Sequence, residues 1–209
     1  MLRYERQAWA AGFRNVVGID EAGGGPLAGP VVAGAVLFDA AFLQAEEKGL
    51  LAGLTDSKKL SESRREHYFA ILTAHSAVKF GVGQADVAEI DARNILHATH
   101  LAMSRALAGL DFIPDHALVD GLPVPGLPCP STAIVGGDGL SLSIAAASVI
   151  AKVTRDHIML ELDRQYPVYG FSRHKGYGTK EHLEALRLHG PASCHRKSFA
   201  PVRQMVLDL

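Results

Sequence analysis

Apolar residues along this chain fall into short runs separated by turn-forming residues, the pattern of strands buried on both faces alternating with helices. Asn15-Val-Val-Gly-Ile-Asp20 is an apolar run ending at carboxylates, and Pro30 to Phe38 is a second, β-rich run. A glycine loop joins them. Ala77 to Val82, His116 to Val119 and Thr132 to Val135 predict three further strands. Ser61-Glu62 and the spacing of Tyr68, Phe69, Ile71 and Leu72 predict a helix over 61–75. Asp86 caps another that leads into Ile95, Leu96, Leu101 and Leu107. The alanine-rich stretch from Ser141 to Gln165 predicts a long, serine-capped helix, and Thr179 to His189 a shorter one stopped by Gly190-Pro191. Adjacent strands first, then strands alternating with helices, predict an α/β fold with a mixed sheet. The helices from about residue 166 onward form a small C-terminal lobe. No repeat, low-complexity tract or long linker divides the 209 residues, so a single domain over 1–209 is expected.

Composition narrows the class. With 48% hydrophobic and 21% charged residues the chain is not disordered. Its longest nearly uncharged apolar stretches, Pro30 to Phe38 and Ile144 to Ala151, fall well short of the roughly 18 residues a membrane span needs. The first fifteen residues carry Arg3, Glu5, Arg6 and Arg14 and no apolar core, so they do not read as a secretion signal; a cytoplasmic location is the default expectation. Cys129 and Cys194 stand in no ligand spacing, which suggests neither a disulfide framework nor a zinc site. The net charge is only −1, but residues 1–150 hold 11 Lys and Arg against 16 Asp and Glu, and residues 151–209 hold 10 against 6. That asymmetry suggests an acidic site facing a basic partner-binding segment.

The acidic residues suggest the chemistry. Asp20 and Glu21 close an apolar strand and are followed at once by Ala22-Gly23-Gly24-Gly25. Burying two like charges is costly unless something positive offsets them, and a divalent metal is the usual answer. Asp120 repeats the pattern at the end of His116-Ala-Leu-Val119. Carboxylates at the ends of two strands converge where open α/β sheets place ligands. Asp138, between Gly137 and Gly139, either joins them or serves as a turn or capping residue. Hard oxygen ligands without His or Cys spacing favour magnesium or manganese over zinc. Two such ions roughly 4 Å apart suit phosphoryl transfer, activating water and stabilising the leaving oxygen. Gly23 to Ala28 also satisfies a dinucleotide-binding fingerprint formally. That fingerprint should open a helix, whereas Pro26 and Pro30 lead into another β-rich run.

Six stretches carry a family resemblance: GIDEAGGGPLAGPVVAGAV, TDSKKLSESRRE, LVDG, GDGLSLSIAAASVIAKVTRD, HKGYGTKEHLEAL and HRKSFAPV. In that order, across nearly the whole chain, they resemble bacterial ribonuclease HII. The resemblance implies a ribonuclease H-like fold and endonucleolytic cleavage of RNA in RNA/DNA duplexes, including single ribonucleotides embedded in DNA, with 3′-hydroxyl and 5′-phosphate products. It places four catalytic, metal-binding carboxylates on Asp20, Glu21, Asp120 and Asp138, served by Mn²⁺ or Mg²⁺. Asp156, four residues after Lys152, reads instead as half of an intrahelical ion pair.

The resemblance also maps a substrate-recognising Gly-Arg-Gly loop onto Gly23-Gly24-Gly25, and a junction-recognising tyrosine onto Tyr177. Gly24 stands where the family carries arginine, so backbone contacts to the 2′-hydroxyl survive and arginine side-chain contacts do not. This leaves a second reading, a junction-binding protein that cleaves weakly. Lys58, Lys59, Arg173, Lys175, Lys180, Arg196 and Lys197 gather in the loop and lobe motifs, and Lys58 is expected to touch phosphate. Arg196 to Phe199 alternatively pack the lobe, with Phe199 as anchor. His174 is expected at the surface. The expected partners are RNA/DNA hybrids and ribonucleotide-containing duplex DNA, with a monomer as the expected state.

Overall fold

The computed structural model describes residues 1–207. Its sheet contains β1 (Val16–Ala22), β2 (Val31–Phe38), β3 (Val78–Ala85), β4 (His116–Asp120) and β5 (Ser131–Ile134), in the order β3-β2-β1-β4-β5. Strands β1, β2 and β3 pair antiparallel, while β4 runs parallel to β1 and β5 parallel to β4. This is the expected mixed α/β sheet. Every residue of β2 is buried, as are the first five of β1, because helices cover both faces of the sheet.

One face carries α6 (Leu142–Gln165), a 24-residue helix capped by the Ser141 side chain. It lies on bare backbone: a side chain at Gly18 would overlap the Ser143 backbone, and one at Gly34 the Ala147 carbonyl. The alanine run of α6 answers those glycines, small residue against small residue. The opposite face carries α5 (Ile95–Ala108), and Gly81 and Gly83 of β3 admit its Ala106 and Ala102 carbonyls in the same way. Two apolar cores result, one between α6, β2 and α3 (Glu62–Ala74), the other between the sheet and α5.

The expected continuous helix after Asp86 is two helices, α4 (Val87–Arg93) and α5, broken at Asn94. Asn94 takes a left-handed φ of 67° and its side-chain oxygen accepts from the His97 N–H, starting α5 in a new direction. Helices α1 (Arg3–Ala10) and α2 (Ala40–Glu46) were not expected from periodicity. α1 is held by Glu5, whose buried carboxylate accepts from Ser141 Oγ at 2.6 Å and Ser143 N at 2.9 Å, at the positive end of α6.

After Tyr166 come α7 (Phe171–His174), α8 (Lys180–His189) and α9 (Ala200–Leu207). Thr179 caps α8, as expected. These helices share a core of Tyr169, Phe171, Leu186 and Val202 with Met159 of α6 and with Leu27 and Ala28 of the glycine loop. That loop leads into β2 rather than a helix, which removes the dinucleotide reading. Among the described residues no helix is long and apolar enough to cross a membrane.

The contact between α6 and the sheet sets a test. Gly18→Ala is expected to cost about 1–3 kcal/mol by overpacking, read as a lower midpoint in denaturant. Gly24→Ala, where an added Cβ meets nothing within 4 Å, is expected to stay within about 0.5 kcal/mol of the parent. Equal losses in the two variants would show that helix and strand do not touch as described.

Candidate active site

Ile19 and Val119 are paired in the parallel β1–β4 ladder, and Asp20 and Asp120 follow them by one residue. Neighbouring strands thus set these two carboxylates side by side, at strand ends about 5 Å apart. Glu21 follows directly, and Asp138 sits in the single 3-10 turn Gly137–Gly139 that precedes α6. Two of the carboxylates also fix the local backbone. Asp20 Oδ1 accepts from Glu21 N and Asp120 Oδ1 from Gly137 N, each at 2.6 Å. The second bond ties the Asp138 turn to the end of β4.

Electrostatics shows that the four expected residues act on one another. Burial pushes Asp20 well above the usual carboxylate range, and Glu21 and Asp120 push it further; the Ser148 hydroxyl on α6 partly offsets this. Glu21 is raised by burial and by Asp120, and Asp138 by burial, Asp120 and Asp56. Lys58 is the counterweight. Burial opposes its charge, but Asp20, Asp56, Asp138 and Glu21 outweigh burial and raise its pKa. Asp56, which sequence reasoning passed over, shares a hydrogen bond with Asp138. Burial of Asp56 is outweighed by the Lys58 N–H, the Asp138 bond and the nearby lysines, which hold it low, while burial, Asp120 and the same bond raise Asp138. The position of Asp56 two residues before Lys58 in TDSKK was the available signal.

Among the described residues, no three His, Cys, Asp or Glu side chains already stand in a closed metal-binding geometry. The chemistry of the donor set nevertheless fits a hard divalent cation: oxygen donors, buried at Asp20 and Asp138 and half-buried at Glu21 and Asp120, mutually repelling, and short of positive charge. Two of their oxygens are turned onto backbone N–H groups.

Beside the carboxylates lies a cleft of about 240 Å³ lined by Glu21, Ala22, Gly23, Gly24, Gly25, Ser57, Lys58, Lys152, Arg155 and Tyr177. The expected glycine loop, lysine and tyrosine therefore share one cavity with Glu21. Tyr177 is 46% exposed, its ring near Gly25. Lys152 binds Asp156 at 2.7 Å, the intrahelical pair expected, and Arg65 adds a second cation to Asp156 at 3.9 Å.

Other basic residues are placed differently from expectation. Arg196 is fully buried and binds loop carbonyls, so it does not meet phosphate; its guanidinium lies over Phe199, the alternative lobe-packing role. Arg173 is paired with Glu181. His174 is buried rather than at the surface, its Nε2 bonded to the Tyr169 carbonyl at 2.8 Å and its Nδ1 accepting from Gly176 N. Nothing in residue type alone signals that a cationic side chain will be satisfied by backbone.

Strand order and strand-end carboxylates together define a class, the ribonuclease H-like α/β enzymes. Residues 17–202 match the family described as Ribonuclease HII. The ribonuclease HII of Desulfitobacterium hafniense is 53% identical over 206 residues, covering 99% of this chain and 76% of that protein. That of Burkholderia pseudomallei is 55% identical over 189 residues, covering 90% and 85%. Among solved structures, the ribonuclease H2 of Pyrococcus horikoshii superposes with a TM-score of 0.76 at 26% identity, covering 93% of this chain and 98% of the other. Bst-RNase HIII in complex with Mn²⁺ shares the fold, with a TM-score of 0.70 at 19% identity, covering 93% and 70%. The chain belongs to the ribonuclease HII family and is a ribonuclease H enzyme.

The raised carboxylates make a signed prediction. An acid whose folded pKa lies above its unfolded value favours the folded state below the unfolded pKa, near 4, and loses that contribution as pH rises through the folded value. In chelator, the parent should therefore lose stability between mildly acidic and alkaline pH through Asp20, Glu21 and Asp138. Asp20→Asn is expected to flatten that loss and melt higher than the parent at pH 8, by about 2–4 °C per kcal/mol of repulsion relieved. Thermal melts at pH 5 and pH 8 check it; a variant that melts lower at pH 8 contradicts it.

Proposed function

We propose that this enzyme is a metal-dependent endoribonuclease that hydrolyses the RNA strand of RNA/DNA hybrids. It also incises 5′ of ribonucleotides embedded in duplex DNA, leaving 3′-hydroxyl and 5′-phosphate ends. The observation that carries the reading is the convergence of Asp20, Glu21, Asp120 and Asp138 beside a cleft lined by the glycine loop, Lys58 and Tyr177. The whole chain acts as one catalytic unit, with residues from about 166 onward as an extension that supplies Tyr177.

Asp20, Glu21, Asp120 and Asp138 would hold Mn²⁺ or Mg²⁺, which supplies Lewis-acid activation of water and charge stabilisation of the leaving oxygen. The protein's own residues do the rest. Lys58 brings a persistent positive charge to the mouth of the site for the backbone phosphate beside the scissile bond. The Gly23-Gly24-Gly25 backbone approaches the ribose closely because no side chains intervene, and the Tyr177 ring offers a face on which the following deoxyribose packs. Selection for RNA then rests on backbone groups reading the 2′-hydroxyl. Full complement of the carboxylates disfavours a binding protein that cleaves weakly, since such a protein gains nothing from like charges brought together.

A duplex carrying one ribonucleotide, incubated with Mn²⁺ or Mg²⁺, is expected to be incised once, 5′ of the ribonucleotide, while an all-DNA duplex stays intact. Asp20→Asn should lower the rate by roughly 10³-fold, the scale of several kcal/mol of lost charge stabilisation. Incision that persists in the variant, or none in the parent, would refute the assignment.

Tyr177→Ala is expected to weaken the embedded-ribonucleotide duplex by about 10-fold, the low end of lost aromatic stacking, with a smaller effect on a uniform RNA/DNA hybrid. Gly24→Arg fits the open space at that position and is expected to raise kcat/KM on the same embedded-ribonucleotide duplex. Unchanged kinetics in either variant would remove that residue from recognition.

A further inference from the structure

Two guanidinium groups lie beneath the substrate cleft, and neither forms an ion pair among the described residues. Arg155, 1% exposed, donates from Nε to the Pro30 carbonyl at 3.0 Å, from Nη1 to Lys175 at 3.0 Å and from Nη2 to Ala28 at 3.1 Å. Arg196, fully buried, donates from Nε to Gly29 at 3.0 Å, from Nη2 to Gly29 at 2.8 Å and Gly23 at 2.7 Å, and from Nη1 to Gly24 at 3.1 Å. Every acceptor is a backbone carbonyl of the glycine loop or of the segment bearing Tyr177.

The consequence lies in peptide geometry. All peptides in the described chain are trans, so each carbonyl points opposite to the N–H of the same plane. With the Gly23 and Gly24 carbonyls drawn inward onto Arg196, the N–H groups of Gly24 and Gly25 are turned outward. Neither donates to any protein group among the described residues, and both residues line the cleft. Two successive outward N–H groups make a small nest for an acceptor oxygen.

The loop has few other means of holding that orientation. Gly24 has no side chain to anchor it, and an added Cβ there would meet only open space. Gly23 takes a φ of 99° and lies against the Arg155 guanidinium, so it must be glycine. Arg196 is in turn fixed by its own backbone N–H to the Leu27 carbonyl at 2.8 Å and by the Phe199 ring, 5.0 Å from the guanidinium carbon.

We propose that Arg196 is the positioning residue of ribose recognition. By holding the Gly23 and Gly24 carbonyls it keeps the Gly24 and Gly25 N–H groups aimed at the 2′-oxygen of the ribonucleotide. The inference rests on the endoribonuclease reading above. Burial and the neighbouring Arg155 lower the Arg196 pKa to about 9, which leaves it charged at neutral pH.

The test uses the metal-loaded enzyme and two duplexes of identical sequence, one with a single ribonucleotide and one all DNA. KM is measured for the first, and the inhibition constant of the second is measured as competitor in the same assay. Lost folding lowers the amount of active enzyme and moves neither constant, whereas lost ribose recognition moves their ratio. In the parent, KM is expected about tenfold below the inhibition constant, the scale of two amide hydrogen bonds to the ribose. In Arg196→Gln the two constants should approach each other through a rise in KM alone. Arg196→Lys, which keeps the charge with fewer directed donors, should fall between.

A parental ratio retained in Arg196→Gln, or in Arg196→Lys if the glutamine variant does not fold, overturns the positioning role and leaves the nuclease assignment standing. No cleavage by the parent overturns both. Hydrogen exchange in the parent needs no variant: the Gly24 and Gly25 amides should exchange freely in the unliganded protein and be slowed by the ribonucleotide duplex but not by the all-DNA one. Slow exchange without nucleic acid would contradict the outward orientation.

Discussion

Close approach of one helix to one sheet organises the rest of this molecule. Because Gly18 and Gly34 have no side chains, α6 lies directly on the backbone of β1 and β2. The turn that leads into it meets the end of β4 through the Gly137–Asp120 hydrogen bond, and its first turns bring Ser148 beside Asp20. Further along, the same helix delivers Lys152 and Arg155 to the cleft and Met159 to the C-terminal core. A larger residue at either glycine would lift the helix and move all of these groups together. Tight packing here sets the geometry of the carboxylate cluster as well as stability.

That geometry concentrates negative charge where the protein itself supplies little relief. Asp20, Glu21 and Asp138 are each pushed upward by burial and by neighbouring carboxylates, while Lys58 is held protonated by the same charges. The site is thus strained toward binding cations, and the strain is offset elsewhere by two well-packed apolar cores. Asp138, raised by burial and by Asp120 and Asp56, takes up a proton more readily than a free carboxylate. Metal affinity should on this ground fall with acidification, as protons compete for the same oxygens.

Much of this was legible in the chain. Each of the five strands lies within three residues of its expected bounds, because apolar runs buried on both faces carry a strong signal, and the strand-end carboxylates stood out by breaking them. Asn94 did not stand out, since the apolar spacing continues through it and a left-handed φ leaves no trace in periodicity. Helix α1 escaped notice for a related reason: its anchor is Glu5, a charged residue buried by contacts 136 and 138 positions away. The basic bias of residues 151–209 pointed to a partner-binding segment, yet Arg155 and Arg196 are internal and Arg164, Arg173 and Arg187 are paired with glutamates. Charge counts locate a sign on a segment and cannot say which members face water.

The tyrosine side of the cleft is held by the same device as the glycine side, with imidazoles in place of guanidinium groups. The Ala192 N–H donates to His195 Nδ1 at 3.0 Å, which leaves His195 Nε2 to donate to His182 Nε2 at 3.0 Å. His182 must then donate from Nδ1 to the Tyr177 carbonyl, 2.9 Å away. Burial, together with His182, lowers the His195 pKa to about 4, and burial also lowers that of His182, so the buried pair disfavours the charged form. His174, stacked on His182 at 4.6 Å, accepts from the Gly176 N–H, and Gly176 returns its carbonyl to Leu27 N in the glycine loop. The C-terminal lobe therefore grips both cleft-lining segments through main-chain groups, leaving the Tyr177 ring and the outward N–H groups of the loop uncommitted. A loop built this way has room for a change at Gly24, because its shape is imposed from beneath and not by the side chain at that position.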